Sequence, residues 1–86
     1  MAADPVQRRW HDAEGEHIDV RGLPQPQPLV AILRLVGEQA DGGAAVIVHH
    51  DRDPLLLYAE LAEIGWMAAR IDGPPGEVRL RLERAP

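Results

Sequence analysis

Residues 19–30 read DVRGLPQPQPLV, and the three alternate prolines Pro24, Pro26 and Pro28 divide two segments of different period. On one side, HIDV (17–20) is a short run of strand-forming character. On the other, Leu29, Ile32, Leu33, Val36 and Ala40 recur at helical spacing. Proline fixes φ near its helical value and has no N–H to leave unpaired in a first turn, while it forces the residue before it to be extended. The stretch therefore reads as strand, loop and stiffened helix start. Such a start also aims the helix dipole at Gln25, a place that favours an anionic ligand, although two prolines remove donors from it.

Working outward, Asp41-Gly42-Gly43 stops the first helix, and AAVIVHH (44–50) is the near-continuous apolar run of a buried parallel strand. Asp53-Pro54 offers an N-cap acceptor followed by proline at the first helical position. Leu57, Leu61 and Ile64 then give a second helix its apolar face, with Gly65 as its stop. WMAARID (66–72) reads as a third strand and GPPGE (73–77) as a turn. VRLRLER (78–84) is a fourth strand in which Val78, Leu80 and Leu82 alternate with Arg79, Arg81 and Glu83. The element order is β-α-β-α-β-β. Right-handed crossovers put both helices on one face and bring the polar loops after the first two strands to one edge. Residues 1–15 are polar except for Trp10 and are expected to form a flexible N-terminal arm; residues 16–86 are expected to form a single domain.

An 86-residue chain of 45% hydrophobic residues without phenylalanine supports a thin aliphatic core, as in a two-layer α/β sandwich. A net charge of -5 and a pI near 5.2 give no footprint for phosphate backbones or acidic membranes, so neither nucleic acid nor membrane is expected as partner. The absence of cysteine, serine and threonine removes thiol and hydroxyl nucleophiles, disulfides and thiolate metal sites, and no enzyme activity is expected. No apolar stretch has the length of a signal peptide or membrane span, which makes the cytoplasm the expected location.

The pattern D-x-R-G-L-x-x-P-x-P at the end of a first strand resembles the TusA/SirA-like sulfur carriers, and the resemblance runs from about Ile18 to Arg84. In those carriers the residue before the first proline of the terminal P-x-P is a persulfide-forming cysteine; here it is Gln25. The sequence is more similar to a cysteine-free, uncharacterised bacterial branch often found beside hemerythrin-type cation-binding domains. That branch shares the R-G-L-P-x-P-x-P start and the His- and Asp-rich loop, here His49 to Pro54. The resemblance implies two helices packed on a four-stranded mixed sheet in strand order 1-2-4-3. It implies no sulfur transfer.

Two constellations stand out. Arg21, Gln25, His50 and Asp51 fall at the carboxyl ends of the first two strands, where α/β sheets place ligands, and Arg21 is the natural anion contact unless it only pairs with Asp19 or Asp51. They suggest a non-catalytic binding module that contacts a partner protein or a small anionic ligand. His49 and His50 are the other candidates, as ligands of a weak transition metal with His17 or His11 helping; with such a metal, the resemblance to a branch found beside hemerythrin-type domains implies an accessory domain in redox or nitrogen-oxide metabolism. Adjacent histidines on a regular strand point to opposite faces, so only a turn would let both converge. Without metal, Asp53 simply caps the second helix, and no cofactor is needed.

Overall fold

The computed structural model describes residues 8–39 and 43–86. Five strands and two helices follow in the order β1 (Arg8–Asp12), β2 (Gly15–Asp19), α1 (Gln27–Glu38), β3 (Val46–His50), α2 (Leu55–Glu63), β4 (Trp66–Ile71) and β5 (Val78–Arg84). One mixed sheet runs β1-β2-β3-β5-β4, in which β2 and β3 are parallel and the other neighbours antiparallel. Its last four strands have the expected 1-2-4-3 order. The four-stranded expectation is corrected by β1, which adds a fifth strand at the edge.

That strand lies within the segment expected to be a flexible arm. Residues 1–7 of the arm are outside the described residues, but Arg8–Asp12 pair with Gly15–Asp19 in an antiparallel hairpin. The turn is built by Asp12, whose Oδ1 accepts the Glu14 N–H at 2.8 Å, and by Gly15 at φ +139°. Only glycine fits there, since a Cβ on Gly15 would lie 2.3 Å from the Ala45 carbonyl oxygen. β1 was hidden in the sequence because an edge strand laid against a polar face needs no apolar alternation. The D-A-E-G tetrad, with Asp first and Gly fourth as in a type I turn, is the signal that could have exposed it.

Period and packing agree elsewhere. Ile18, Val20, Val46, Val48, Leu80 and Leu82 project from one side of the sheet onto Ile32, Leu35 and Val36 of α1 and Leu57 and Leu61 of α2. Each of these side chains contributes roughly 1.5–3 kcal/mol of transfer free energy. Ile64, expected on the apolar face of the second helix, lies beyond its end and is exposed; Ala40 and the Asp41-Gly42 part of the first stop fall outside the described residues. Among the described residues, no helix is long and apolar enough to cross a membrane.

The prolines sit where the helices begin. Pro26 is the N-cap of α1 and Pro28 lies in its first turn; Pro54, one residue earlier than expected, is the N-cap of α2. Both helices thus start without a side-chain cap, and Asp53 accepts the Tyr58 hydroxyl instead of an amide.

Candidate functional site

Parallel β2 and β3 end side by side, and the two helix starts above them leave a cavity of about 290 Å³. Its walls are mostly apolar: Pro26, Pro28 and Leu29 from the α1 side, and Leu55, Leu56 and Leu57 from α2, with Gln25 and Asp53 as polar members. His50, at the end of β3, completes the lining and is 1% exposed. Leu55 and Leu56 remain 70% and 72% exposed, so the apolar wall continues outward as a rim.

The hydrogen bonds of His50 set its chemistry. Its Nδ1 lies 2.9 Å from the backbone N–H of Asp51, 3.3 Å from that of Arg52 and 3.2 Å from Asp51 Oδ1; the two N–H groups need a lone pair there, which places the ring proton on Nε2. That Nε2–H is buried and has no partner among the described residues. Burial pushes the His50 pKa down, against the opposing pull of Asp51, so the ring is neutral. A buried donor without an acceptor costs about 1–3 kcal/mol. His50 thus brings a buried donor, unmet among the described residues, to the lining of a mostly apolar cavity.

Of the four residues predicted to share this site, Gln25 and His50 do. Asp51 adjoins His50 but serves the backbone: its Oδ2 accepts the Gly22 N–H at 2.9 Å, which ties the loop after β2 to the end of β3 and holds the carboxyl below its usual range. Arg21 turns to the opposite side of the sheet. Its Nε and Nη2 donate to the two oxygens of Asp19 at 2.9 and 2.7 Å, and its Nη1 reaches Glu77 at 3.4 Å. Of its two expected roles, the ion pair with Asp19 is the one it fills. Several first-turn amides are equally occupied, since Gln27 N–H goes to Pro24, Leu55 N–H to Asp53 and Leu57 N–H to Pro54, and the prolines have none. The expected anion cradle therefore loses both its cation and most of its donors.

The face without helices carries a second assembly. Asp12 Oδ1 meets His17 Nε2 at 2.9 Å, His17 Nδ1 meets His49 Nε2 at 2.9 Å, and His49 Nδ1 meets Glu77 Oε2 at 2.8 Å. Trp10 covers both rings, stacked on His17 with centroids 4.9 Å apart and tilted against His49 at 5.1 Å. Glu77 also accepts from Arg79 Nε at 2.7 Å, and Asp19 pairs with Arg8 at 3.0 Å as well as with Arg21. The sequence reading offered His17 only as a helper and missed Asp12, Trp10 and Glu77. Two signals for the assembly were present: His17 and Asp19 are two apart on one strand, and Arg79 begins the polar alternation of β5.

His49 and His50, expected as paired metal ligands, point to opposite faces of a strand that stays regular to its end. No turn brings them together. His11 alternates to the side of Arg9, which bonds Glu38 of α1, and so also lies away from His49. Asp12, Glu14 and His17 do place ligand-type atoms within 4.8 Å of one another. There His17 Nε2 already has Asp12 as its hydrogen-bond partner, and both carboxylates are exposed.

A family model described as "Uncharacterized conserved protein (DUF2249)" matches residues 17–84, and the chain belongs to that family. The match begins after β1, so the hairpin strand lies outside it. No curated protein matches the chain.

Proposed function

We propose that this member of the DUF2249 family is a non-catalytic binding module whose ligand is a small, largely apolar molecule bearing one hydrogen-bond acceptor, held in the cavity between the two helix starts. The observation that carries the reading is the buried Nε2–H of His50 without a partner. A carbonyl or carboxylate oxygen placed against it would satisfy the donor, while the body of the ligand covers Leu55 and Leu56. Charge on the ligand is incidental, since Arg21 is engaged by Asp19 and Glu77 on the other face. The two amides on His50 Nδ1 and a sequence without serine, threonine or cysteine support the non-catalytic part of this reading.

We further place the family beside the TusA/SirA-like carriers. The order of the last four strands and the R-G-L-P-x-P-x-P start support this kinship, with Gln25 at the mouth of the cavity where a carrier has its cysteine.

Titrating ¹⁵N-labelled protein with octanamide, octanoate and octane tests the reading. Saturable shifts of the His50 ring resonances and of the Leu55 to Leu57 amides are expected for the two acceptor-bearing compounds, with octane far weaker. His50→Phe, which keeps the ring volume and removes the donor, should bring all three to the same weak level. Equal responses of wild type and variant, or none at all, refute a cavity that reads an acceptor.

A further inference from the structure

The chain Asp12, His17, His49, Glu77 contains three heavy-atom contacts of 2.8–2.9 Å, and each must hold one proton. Two neutral imidazoles supply only two. The terminal carboxyls do not supply the third. The His17 hydrogen bond holds Asp12 below the usual range; burial alone would raise Glu77, but the Arg79 and His49 hydrogen bonds outweigh it and hold Glu77 down too. With both carboxylates ionised and only two ring protons, one link must lack its proton: His17 Nδ1 and His49 Nε2 face each other lone pair to lone pair, or a lone pair of His17 faces Asp12, or a lone pair of His49 faces Glu77.

We infer that this chain is a proton-binding site: a third proton on the His17–His49 pair completes the three links and clamps β1, which carries Asp12 and Trp10, onto the sheet. The charges around the pair balance it. Facing the rings are Asp12 and Arg8 from β1, Glu14 from the turn, Asp19 from β2, Arg21 and Glu77 from the loops, and Arg79 from β5. Arg81 and Glu83 pair with each other farther along β5, and β4 presents Met67, Ala69 and Ile71 on this side. Four carboxylates against three guanidiniums leave one negative charge for the shared proton to offset. With three protons on the pair one ring donates from both nitrogens and the other from one, so that every one of the three links has a donor and an acceptor. Loss of the proton to solvent, by way of exposed Asp12, leaves one link repulsive. Where that link is Asp12–His17, the hairpin relieves it by moving β1, an edge strand that among the described residues pairs with β2 alone.

The test uses the whole chain with ¹⁵N-labelled histidine. Near pH 6.5, the midpoint of an ordinary histidine, His17 and His49 should together show three ring N–H protons and a coupling across the Nδ1–H···Nε2 contact. Raising the pH to about 9 should remove one proton and speed β1 amide exchange about tenfold beyond the intrinsic base-catalysed increase, with β3 unaffected. Asp12→Asn is the discriminating variant. Its side-chain amide can donate to a neutral His17 Nε2, so the pair should hold two protons at both pH values and β1 protection should lose its pH dependence. Two ring protons in the wild type near pH 6.5, or β1 protection that is independent of pH there, overturns the inference.

Discussion

His49 and His50 are neighbours in sequence and opposites in their hydrogen bonding. His49 sits on the face without helices with both ring nitrogens engaged, one by His17 and one by Glu77; His50 faces the helices with Nδ1 held by two amides and Nε2 by nothing described. Both are buried, at 6% and 1% exposure, so depth does not separate them. Completeness does. A saturated network stabilises and orders its own surroundings, whereas an unmet donor in an apolar cavity raises the energy of the empty state and is lowered only by something brought from outside.

The largest effect expected from breaking this contrast lies at Glu77. Its carboxylate accepts from His49, Arg79 and Arg21, and Glu77→Ala strands all three donors. A sealed ion pair broken in this way costs roughly 3–5 kcal/mol. Here the guanidiniums of Arg21 and Arg79 still reach water, so about 2–3 kcal/mol is expected, read as a lowered urea midpoint with unchanged slope. The cavity on the other face should keep its ligand response.

Leucine in place of each histidine should have unequal effects. His49→Leu leaves His17 Nδ1 and Glu77 without their partner and is expected to cost about 2 kcal/mol. His50→Leu removes a donor that has no acceptor and frees only two amides of an exposed turn for water, so a change within about 1 kcal/mol is expected. Acid offers a further test of His50. His50 has a folded pKa pushed down by burial, so the unfolded chain binds its proton first as pH falls below about 6.5, and the stability of the wild type declines there. Asp51, Arg52 and Asp53 are the charges that face it, and they shift this decline without reversing its sign. His50→Leu should flatten that part of the pH–stability curve. Equal costs for the two leucine variants would refute the division of the sheet into a satisfied and an unsatisfied face.

How far the sequence foretells this division follows from which residues obey a period. Leu29 to Val36, Val46 to Val48 and Val78 to Leu82 have periods set by burial against the other layer, and the β-α-β-α-β-β core was legible from them. The opposite directions of His49 and His50 followed from strand geometry alone. What was not legible depends on contacts with no period. Arg8, Trp10 and Asp12 belong to an edge strand over a polar face, and Arg21, beyond its expected pairing with Asp19, reaches Glu77, 56 residues away. Asp53, an N-cap by residue type, is displaced from that role by Pro54 and spent on Tyr58, whose phenol is pushed up to about 12 by burial and by that carboxylate. Pairings set by loops cannot be read from either segment alone.

The smallest expected change in stability tests the unsatisfied side most cleanly. Leu56 is 72% exposed on the first turn of α2 and lines the cavity, so its side chain has little to lose on substitution. Leu56→Glu should alter the unfolding free energy by no more than about 0.5 kcal/mol, helped by the preference of a helix N-terminus for a carboxylate. The same substitution puts charge on the rim against which an apolar ligand would lie. Octanamide shifts at the His50 ring should therefore weaken about tenfold or more while the His17–His49 signals stay in place. If stability falls instead and the ligand response persists, Leu56 is packed in a way its exposure denies, and the binding surface must lie elsewhere than this rim.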